Sequence, residues 1–122
     1  MPVRSLNSPV LKWPSQETVD RAVRSWTAEQ VQQRPDIVRV GYFGSYARDE
    51  WGVGCDLDLI AVVNETTEPF ERRLLSFDLN RLPVPAEIIV YTLSEWEDLE
   101  HRDTKFARML KREAIWTFSK SA

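Results

Sequence analysis

Apolar residues recur with helical spacing in the first part of the chain. Four of them fall on one face of such a helix: Val19, Ala22, Val23 and Trp26. Ser15, just before this pattern, is a residue type that often caps the N-terminus of a helix, whereas Pro35 cannot continue one. The pattern therefore predicts an amphipathic helix that starts after Ser15 and ends before Pro35.

Further along, four short segments have the composition of β-strands. Ile37 to Phe43 is rich in β-branched and aromatic residues and stops at Gly44, as a central strand does before a tight turn. The other three segments comprise residues 56–63, 87–92 and 114–118. The pattern predicts four strands.

Two helices are predicted in the stretches between the first three strands. A short one over residues 45–50 follows the first strand, directly after Gly44. A second starts at the Thr and Pro residues of 66–69 and ends near Asn80. Its apolar face is predicted to hold three residues: Phe70, Leu74 and Phe77.

A further helical region is predicted after the third strand. Ser94 with Glu97 three residues later has the spacing of a capping box, and the region runs in one or two pieces to about Arg112. Three residues form its apolar stripe, namely Phe106, Met109 and Leu110. The other face carries Lys105, Arg108 and Arg112. The ordinary interpretation is a solvated helix face; the alternative is a surface that guides a triphosphate, an RNA end or an acidic partner.

Helices and strands thus alternate along the chain, and this order predicts an α/β (α+β) fold with a single mixed β-sheet and helices packed on it. Residues 1–14 contain three prolines and no periodicity, so we expect an extended arm that packs through Leu11 and Trp13. Residues 15–122 are expected to form a single domain, because 122 residues with 43% hydrophobic content suit one compact core.

Charge and cysteine content narrow the class of protein. The formal net charge is −3 with a pI near 5.2, and acidic and basic residues are mixed, so no global footprint for duplex DNA or an acidic membrane exists. Cys55 is the only cysteine, and no apolar run is long enough to span a bilayer. We therefore expect a cytoplasmic protein without a membrane partner, for which nucleic acid is a less favoured ligand.

Two carboxylates interrupt the second strand close to its start. Asp56 and Asp58 lie two residues apart, so in a strand their side chains project to the same side. Mg²⁺ takes one or two carboxylates and fills its other positions with water and phosphate oxygens. Glu87 starts another strand and would stand beside the pair if the two strands are neighbours; three such carboxylates could hold two metal ions for an in-line displacement.

The glycine at the end of the first strand predicts an anion-binding turn. Gly44 allows the backbone to approach an anion closely, and Ser45 adds a hydroxyl. No GxxxxGK[ST] motif is present and no GxGxxG follows a strand, so a P-loop or a Rossmann site is not supported.

Gly44 and Ser45, ten intervening residues and then Asp56-Leu57-Asp58 resemble the GS-x10-DxD signature of the DNA polymerase β-like nucleotidyltransferase superfamily. In so short a chain, FGSYAR and CDLDLIAVV look like its minimal nucleotidyltransferase (MNT) branch. The resemblance implies a polymerase β-like core and metal-dependent transfer of a nucleoside monophosphate from a triphosphate. It also implies a frequent partner, a small helical HEPN protein, with the pair acting as toxin and antitoxin.

The leading hypothesis is therefore an enzyme that transfers adenylyl groups from ATP, or another NTP, to a protein acceptor. Asp56, Asp58 and Glu87 would be catalytic and hold Mg²⁺, while Gly44 and Ser45 would bind the nucleotide. The short chain has no room for an acceptor domain, so a HEPN-type protein or a homo-oligomer would complete the site.

Other interpretations remain open from the sequence. Three departures from the family pattern favour a non-catalytic nucleotide- or partner-binding module: Asp49, Cys55 and Glu87. An RNA-end modifying transferase is a third hypothesis, which predicts salt-sensitive RNA binding. Arg48 could bind the nucleotide phosphates or form a structural ion pair, and Trp51 could stack on a base or pack within its loop.

Overall fold

The structure is a computed structural model and describes residues 13–120. Its helices and strands, in chain order, are α1 (Gln16–Gln33), β1 (Ile37–Phe43), β2 (Leu57–Val63), a 3₁₀ helix (Phe70–Ser76), β3 (Ala86–Thr92), α2 (Leu93–His101), α3 (Lys105–Glu113) and β4 (Ile115–Ser119). The first helix follows the predicted bounds because Ser15 Oγ accepts a hydrogen bond from the backbone N–H of Thr18 at 3.2 Å.

The four strands form one mixed sheet in the order β3-β2-β1-β4. β1 pairs antiparallel with both β2 and β4, whereas β2 and β3 are parallel. The predicted fold class, a single mixed sheet with helices packed on it, is therefore confirmed. Among the described residues, no helix has the length and apolar character needed to cross a membrane.

Each face of the sheet is covered by a separate hydrophobic core. On one face, α1 packs its buried residues Val19, Val23 and Trp26 against Leu57 and Leu59 of β2, among others. On the other face, α2 and α3 cover a smaller core that includes Phe43, Ile60, Val62, Trp96 and Leu110. Since alternate strand residues share a face, Asp58 belongs to the face that α2 and α3 cover.

The predicted helix over residues 45–50 is wrong. Residues 45–49 form a turn, in which the N–H of Arg48 bonds to the carbonyl of Gly44 at 3.1 Å and that of Glu50 to Ser45 at 2.8 Å. Asp49 ends this turn with a φ of 58°, a left-handed conformation that Asp tolerates better than most residues. A left-handed residue cannot continue an α-helix.

The segment after β2 also differs from the prediction. It is a 3₁₀ helix over Phe70–Ser76 rather than an α-helix to Asn80, and Phe70 and Leu74 are exposed while Phe77 is buried. With three residues per turn, positions i and i+4 do not share a face. The predicted apolar face therefore does not form.

The helical region after β3 begins earlier than predicted. The capping box consists of Thr92 and Glu95, not Ser94 and Glu97, so β3 passes directly into α2. The region is divided into α2 and α3, one of the two predicted forms, and Thr104 caps α3. Phe106, Met109 and Leu110 do pack into the core below these helices, as predicted.

Candidate active site

The turn after β1 and the start of β2 are in direct contact. Phe43, the last residue of β1, is the antiparallel partner of Asp58. Gly44 follows with a φ of +81°, and a Cβ at this position would lie 2.5 Å from Oδ2 of Asp58. Only glycine satisfies both conditions, because a side chain would be strained and would collide with the carboxylate. The predicted anion-binding turn is therefore held against the predicted metal ligand.

Asp58 and Glu87 are aligned on neighbouring strands. They are paired residues in the parallel ladder of β2 and β3, so their side chains leave the same face of the sheet. The N–H of Leu57 also bonds to the carbonyl of Pro85 at 2.8 Å, which fixes the strand starts relative to one another. Asp56 precedes β2 by one residue and is exposed. The three predicted carboxylates thus lie at one end of two adjacent strands.

The electrostatics of Asp58 reflect this crowding. Burial raises the pKa of its carboxyl above the ordinary value, and the negative charges of Glu87 and Asp56 raise it further. Arg48 opposes the shift as the weakest contribution. A half-buried carboxylate beside two others is costly unless a cation compensates for it, so the site has a local excess of negative charge.

The donor set fits a hard divalent cation. Carboxylate oxygens are the ligands that Mg²⁺ prefers, and burial first, then the negative charges of Glu87 and Asp56, raise the pKa of Asp58. Between residues 13 and 120, no three His, Cys, Asp or Glu side chains already meet as a metal-binding cluster. Of the three predicted ligands, Asp58 is the one adjacent to both others, because Asp56 is two residues before it and Glu87 is its ladder partner on β3.

Arg48 is held by two carboxylates. Its Nε donates to Glu50 Oε1 at 2.7 Å and its Nη1 to Glu113 Oε1 at 3.1 Å. Arg48 could bind nucleotide phosphates or form a structural ion pair, and in the structure it forms ion pairs. Glu113 is the last residue of α3, so this pair joins the turn after β1 to the helix that covers the site.

An aromatic cluster holds the same turn on its other side. Tyr46 is fully buried, and its ring is parallel to that of Trp51 with the centroids 6.1 Å apart. Trp13 Nε1 donates to the hydroxyl of Tyr46 at 2.7 Å, and Trp51 Nε1 donates to Asp49 Oδ1 at 3.0 Å. Trp51 therefore packs within its loop, the second of its two interpretations. Leu11, the other predicted contact of the arm, lies outside the described residues.

The sequence predicts that Trp13 packs on the domain, but it does not indicate its partner Tyr46 or the role of Glu113. Tyr46 gives the one local signal, because it is an apolar side chain within an otherwise small and polar turn sequence, GSYAR. Trp13 lies 33 residues from Tyr46, and Glu113 lies 65 residues from Arg48. Contacts over such separations leave no periodic signal.

The remaining polar candidates lie at the surface. Arg108 pairs with Asp103 and Arg112 with Glu113, and Lys105 is exposed. His101 is exposed, with Nδ1 2.7 Å from the carbonyl of Glu97 in its own helix. These contacts fit the solvated interpretation of the helix face. Phe106 of α3 packs edge-on against Phe43, with centroids 5.8 Å apart, and so places α3 beside the site.

Comparison with known proteins agrees with this geometry. A family model described as a nucleotidyltransferase domain matches residues 24–116, and the chain therefore belongs to the nucleotidyltransferase domain family. The matched region contains β1, the turn after it, β2 and β3, and thus all the candidate site residues. No curated protein matches the chain at a significant level.

Three solved structures share the fold. One is described as a "putative nucleotidyltransferase" from Sulfolobus solfataricus, with a TM-score of 0.63, 16% identity and coverage of 93% of this chain and 90% of that chain. The second is a toxin-antitoxin with AMP-PNP (TM-score 0.50, 10% identity, 80% and 73% coverage). The third is the toxin-antitoxin MntA-HpeT in a mutant form (TM-score 0.52, 11% identity, 80% and 73% coverage). The predicted superfamily is confirmed, and these neighbours are consistent with its minimal branch.

Proposed function

We propose that this protein is a metal-dependent nucleotidyltransferase that moves an adenylyl group from ATP to a protein acceptor. The observation that carries the proposal is the position of Asp58, which lies against Gly44 on one side and is aligned with Glu87 on the other. A nucleotidyl transfer site needs a phosphate-binding turn next to carboxylates that hold metal, and the strand register supports the assignment of these residues to such a site.

Each residue has a distinct role in the proposed reaction. Asp56, Asp58 and Glu87 would hold Mg²⁺, which when bound lowers the barrier by stabilising charge on the reacting oxygens. Gly44 brings the turn backbone close to the triphosphate, and Ser45 offers its hydroxyl. The acceptor hydroxyl oxygen bonds to the α-phosphorus and gives its proton to solvent, while the bond from that phosphorus to pyrophosphate breaks. The chain's own contribution is to position the triphosphate in line.

Arg48 would be a conditional phosphate ligand. Its guanidinium is already paired with Glu50 and Glu113, and both pairs are partly solvent-exposed. Exposed ion pairs are weak, so a triphosphate with several negative charges could displace them. Arg48 would then turn from Glu113 toward the nucleotide.

A protein partner is part of the proposal. Two of the structures that share the fold are toxin-antitoxin proteins, one of them with AMP-PNP. The mutant of the other replaces two aspartates two residues apart by glutamate, which is the spacing of Asp56 and Asp58. These similarities support a toxin-antitoxin partner. In the proposal, the chain is the antitoxin and modifies a HEPN-type toxin in the cytoplasm, where ATP and Mg²⁺ are available.

A non-catalytic binding module is the second candidate. It is favoured by the pairing of Arg48 with two glutamates, and by the three carboxylates not already meeting as one cluster within residues 13–120. Such a module would bind a partner or a nucleotide without transferring any group.

Transfer of label from ATP distinguishes the two candidates. ATP labelled at the α-phosphate would be incubated with Mg²⁺, the chain and the product of the adjacent gene. We expect label on the partner with wild type and none with Asp56→Asn/Asp58→Asn. The matched control, Asp98→Asn/Glu100→Gln, removes two exposed carboxylates with the same spacing on α2 and should keep full labelling. Partner binding without label in every sample would instead establish the binding module.

A further inference from the structure

A cavity lies on the face of the sheet that α2 and α3 cover, away from the candidate active site. It encloses about 210 Å³ between α2, α3 and the strands β1 and β4. Its apolar walls include Trp96, Leu99, Leu110 and Trp116, and Arg39 supplies a guanidinium. Arg39 precedes Phe43 by four residues in β1, which corresponds to roughly 13 Å at about 3.3 Å per residue. The cavity is thus separate from Asp58.

Arg39 lies between two indole rings. Its Cζ is 3.8 Å from the ring centroid of Trp116 and 5.6 Å from that of Trp96. The two rings meet edge to face, with centroids 5.5 Å apart. Gly41 makes room for Trp116, since a Cβ there would be 2.8 Å from Cε3 of that ring. The indoles and the guanidinium are therefore packed as one unit.

The positive charge of Arg39 has no anionic partner within residues 13–120. None of the ion pairs formed there includes Arg39, and its Nε is buried without a hydrogen-bond acceptor. Stacking on aromatic faces compensates for part of the lost hydration but supplies no hydrogen bond. A buried N–H without an acceptor is costly, so an anion that accepted from Nε of Arg39 would be stabilised at this site.

Two other arginines of this chain show how such a charge is otherwise balanced. Arg73 is buried and donates to both carboxylate oxygens of Glu95 and to the carbonyl of Val90. Arg34 lies over the Phe77 ring at 4.6 Å, as Arg39 lies over Trp116, yet it also bonds to both oxygens of Asp36. Among residues 13–120, Arg39 has the aromatic contact but no carboxylate partner.

We propose that this cavity binds a small organic carboxylate with a compact aromatic or apolar body. The carboxylate would neutralise Arg39, and the body would pack against the indole and leucine walls. The volume is sufficient, because an apolar cavity of about 150 Å³ already accommodates benzene. Lys111 and Glu100 also line the cavity with opposite charges, so the net positive charge available to the anion is that of Arg39.

Benzoate is the probe, and the indole N–H signals of the five tryptophans are the readout in two-dimensional NMR. We expect benzoate to shift the signals of Trp96 and Trp116 in a saturable manner, while those of Trp13, Trp26 and Trp51 stay in place. Benzamide has the same shape without the charge and should bind roughly tenfold more weakly, the factor expected for loss of one charge-assisted hydrogen bond. This comparison needs no variant of the protein.

Variants then test the role of Arg39. Arg39→Gln should weaken benzoate binding by about tenfold or more, Arg39→Lys should retain part of it, and Arg21→Gln, which removes an exposed charge of α1, should leave it unchanged. Equal affinity for benzoate and benzamide would overturn the proposal, as would shifts spread over all five indoles. No shift of Trp96 or Trp116 at saturating probe would also overturn it.

Discussion

Gly44 is the residue at which the proposed phosphate-binding turn meets β2, the strand that carries Asp58. Gly44→Ala adds a Cβ in a left-handed conformation and directly against Asp58 Oδ2. We expect destabilisation by about 1–3 kcal/mol, since left-handed backbone costs about 1–2 kcal/mol outside glycine and the collision adds to it. Nucleotide transfer should be lost, because the carboxylate or the turn must move. Urea unfolding and the labelling assay measure the two effects.

Two other glycines provide the controls for this substitution. Gly52 has open space around it and no positive φ, so Gly52→Ala should leave stability unchanged. Gly54 has a φ of +88° but equally open surroundings, so Gly54→Ala should show the conformational cost alone. If Gly44→Ala is no more harmful than Gly54→Ala, contact with Asp58 is not what requires glycine.

The ionised carboxylate of Asp58 is expected to destabilise the fold, because the proposed function requires it at a half-buried position. Because its pKa is raised in the folded state, folding holds its proton more tightly than the unfolded chain does, and stability falls as pH rises from 3.8 through the raised value. Asp58→Asn removes this loss. We expect its melting temperature at pH 7 to exceed that of wild type by roughly 2–4 °C, with transfer abolished.

The pH dependence of this gain tests its cause. The difference in melting temperature between Asp58→Asn and wild type should shrink at pH 3.5, where most of the wild-type carboxyl is protonated in both the folded and the unfolded state. Asp56→Asn, at an exposed position, should raise the melting temperature less. A gain that is the same at both pH values would exclude the electrostatic explanation.

At the scale of elements, an ion pair between buried Arg73 and exposed Glu95 joins the 3₁₀ helix to α2. Arg73 donates to Glu95 of α2 at 2.6 and 3.2 Å and to the Val90 carbonyl of β3 at 3.1 Å. The hydrogen bond from Arg73 is the main reason that the pKa of Glu95 lies below its usual value. One side chain thus connects three elements.

Arg73→Met should therefore loosen this region and change its response to acid. We expect a loss of about 1–3 kcal/mol at pH 7, since Glu95 and the Val90 carbonyl lose their shared donor. A depressed pKa stabilises the fold above pH 4.5 and is lost as pH falls through the lowered value, so the variant should show a smaller decrease on acidification. Arg72→Met, at an exposed neighbour, is the control for urea unfolding at pH 7 and pH 3.5. Equal acid sensitivity of the two variants would contradict this assignment.

The elements that were predicted correctly have strong local signals. α1 has a capping serine, an apolar stripe and a proline beyond its end, and the strands of the sheet are β-branched and apolar. The turn over residues 45–49 and the 3₁₀ helix were mistaken for α-helices, because their composition is helical while their ends are set by Asp49 and by packing on β3. Two overlapping capping patterns also start at Thr92 and Ser94, and only the tertiary structure selects the first.

At the scale of the whole molecule, the sheet brings the candidate site together. Gly44, Asp58 and Glu87 could be predicted from sequence because each lies at the end of a recognisable strand. The sequence leaves open whether β2 and β3 are neighbours. In the structure they are, and their register pairs Asp58 with Glu87. The hydrogen bonds of Trp13 to Tyr46 and of Arg48 to Glu113 could not be predicted, because their partners lie 33 and 65 residues apart in the chain.

Metal and nucleotide should stabilise the whole fold if the proposed site is correct. A ligand that binds only the native state raises its stability in proportion to the logarithm of its concentration above Kd. We expect Mg²⁺ with a non-hydrolysable ATP analogue to raise the melting temperature of wild type by several degrees. Asp56→Asn/Asp58→Asn should show no such rise, whereas Asp98→Asn/Glu100→Gln should behave as wild type. A rise that persists without both aspartates would show that they do not hold the metal.

The aromatic cluster on the turn gives this protein a built-in optical reporter. Tyr46 lies two residues beyond Gly44. Its ring stacks with that of Trp51, and its hydroxyl accepts a hydrogen bond from Trp13. Any shift of the turn upon nucleotide binding would alter the surroundings of these indoles and therefore their emission. The time course of binding can thus be followed in stopped-flow fluorescence with unlabelled protein, and replacement of Trp51 by Phe would identify which indole responds.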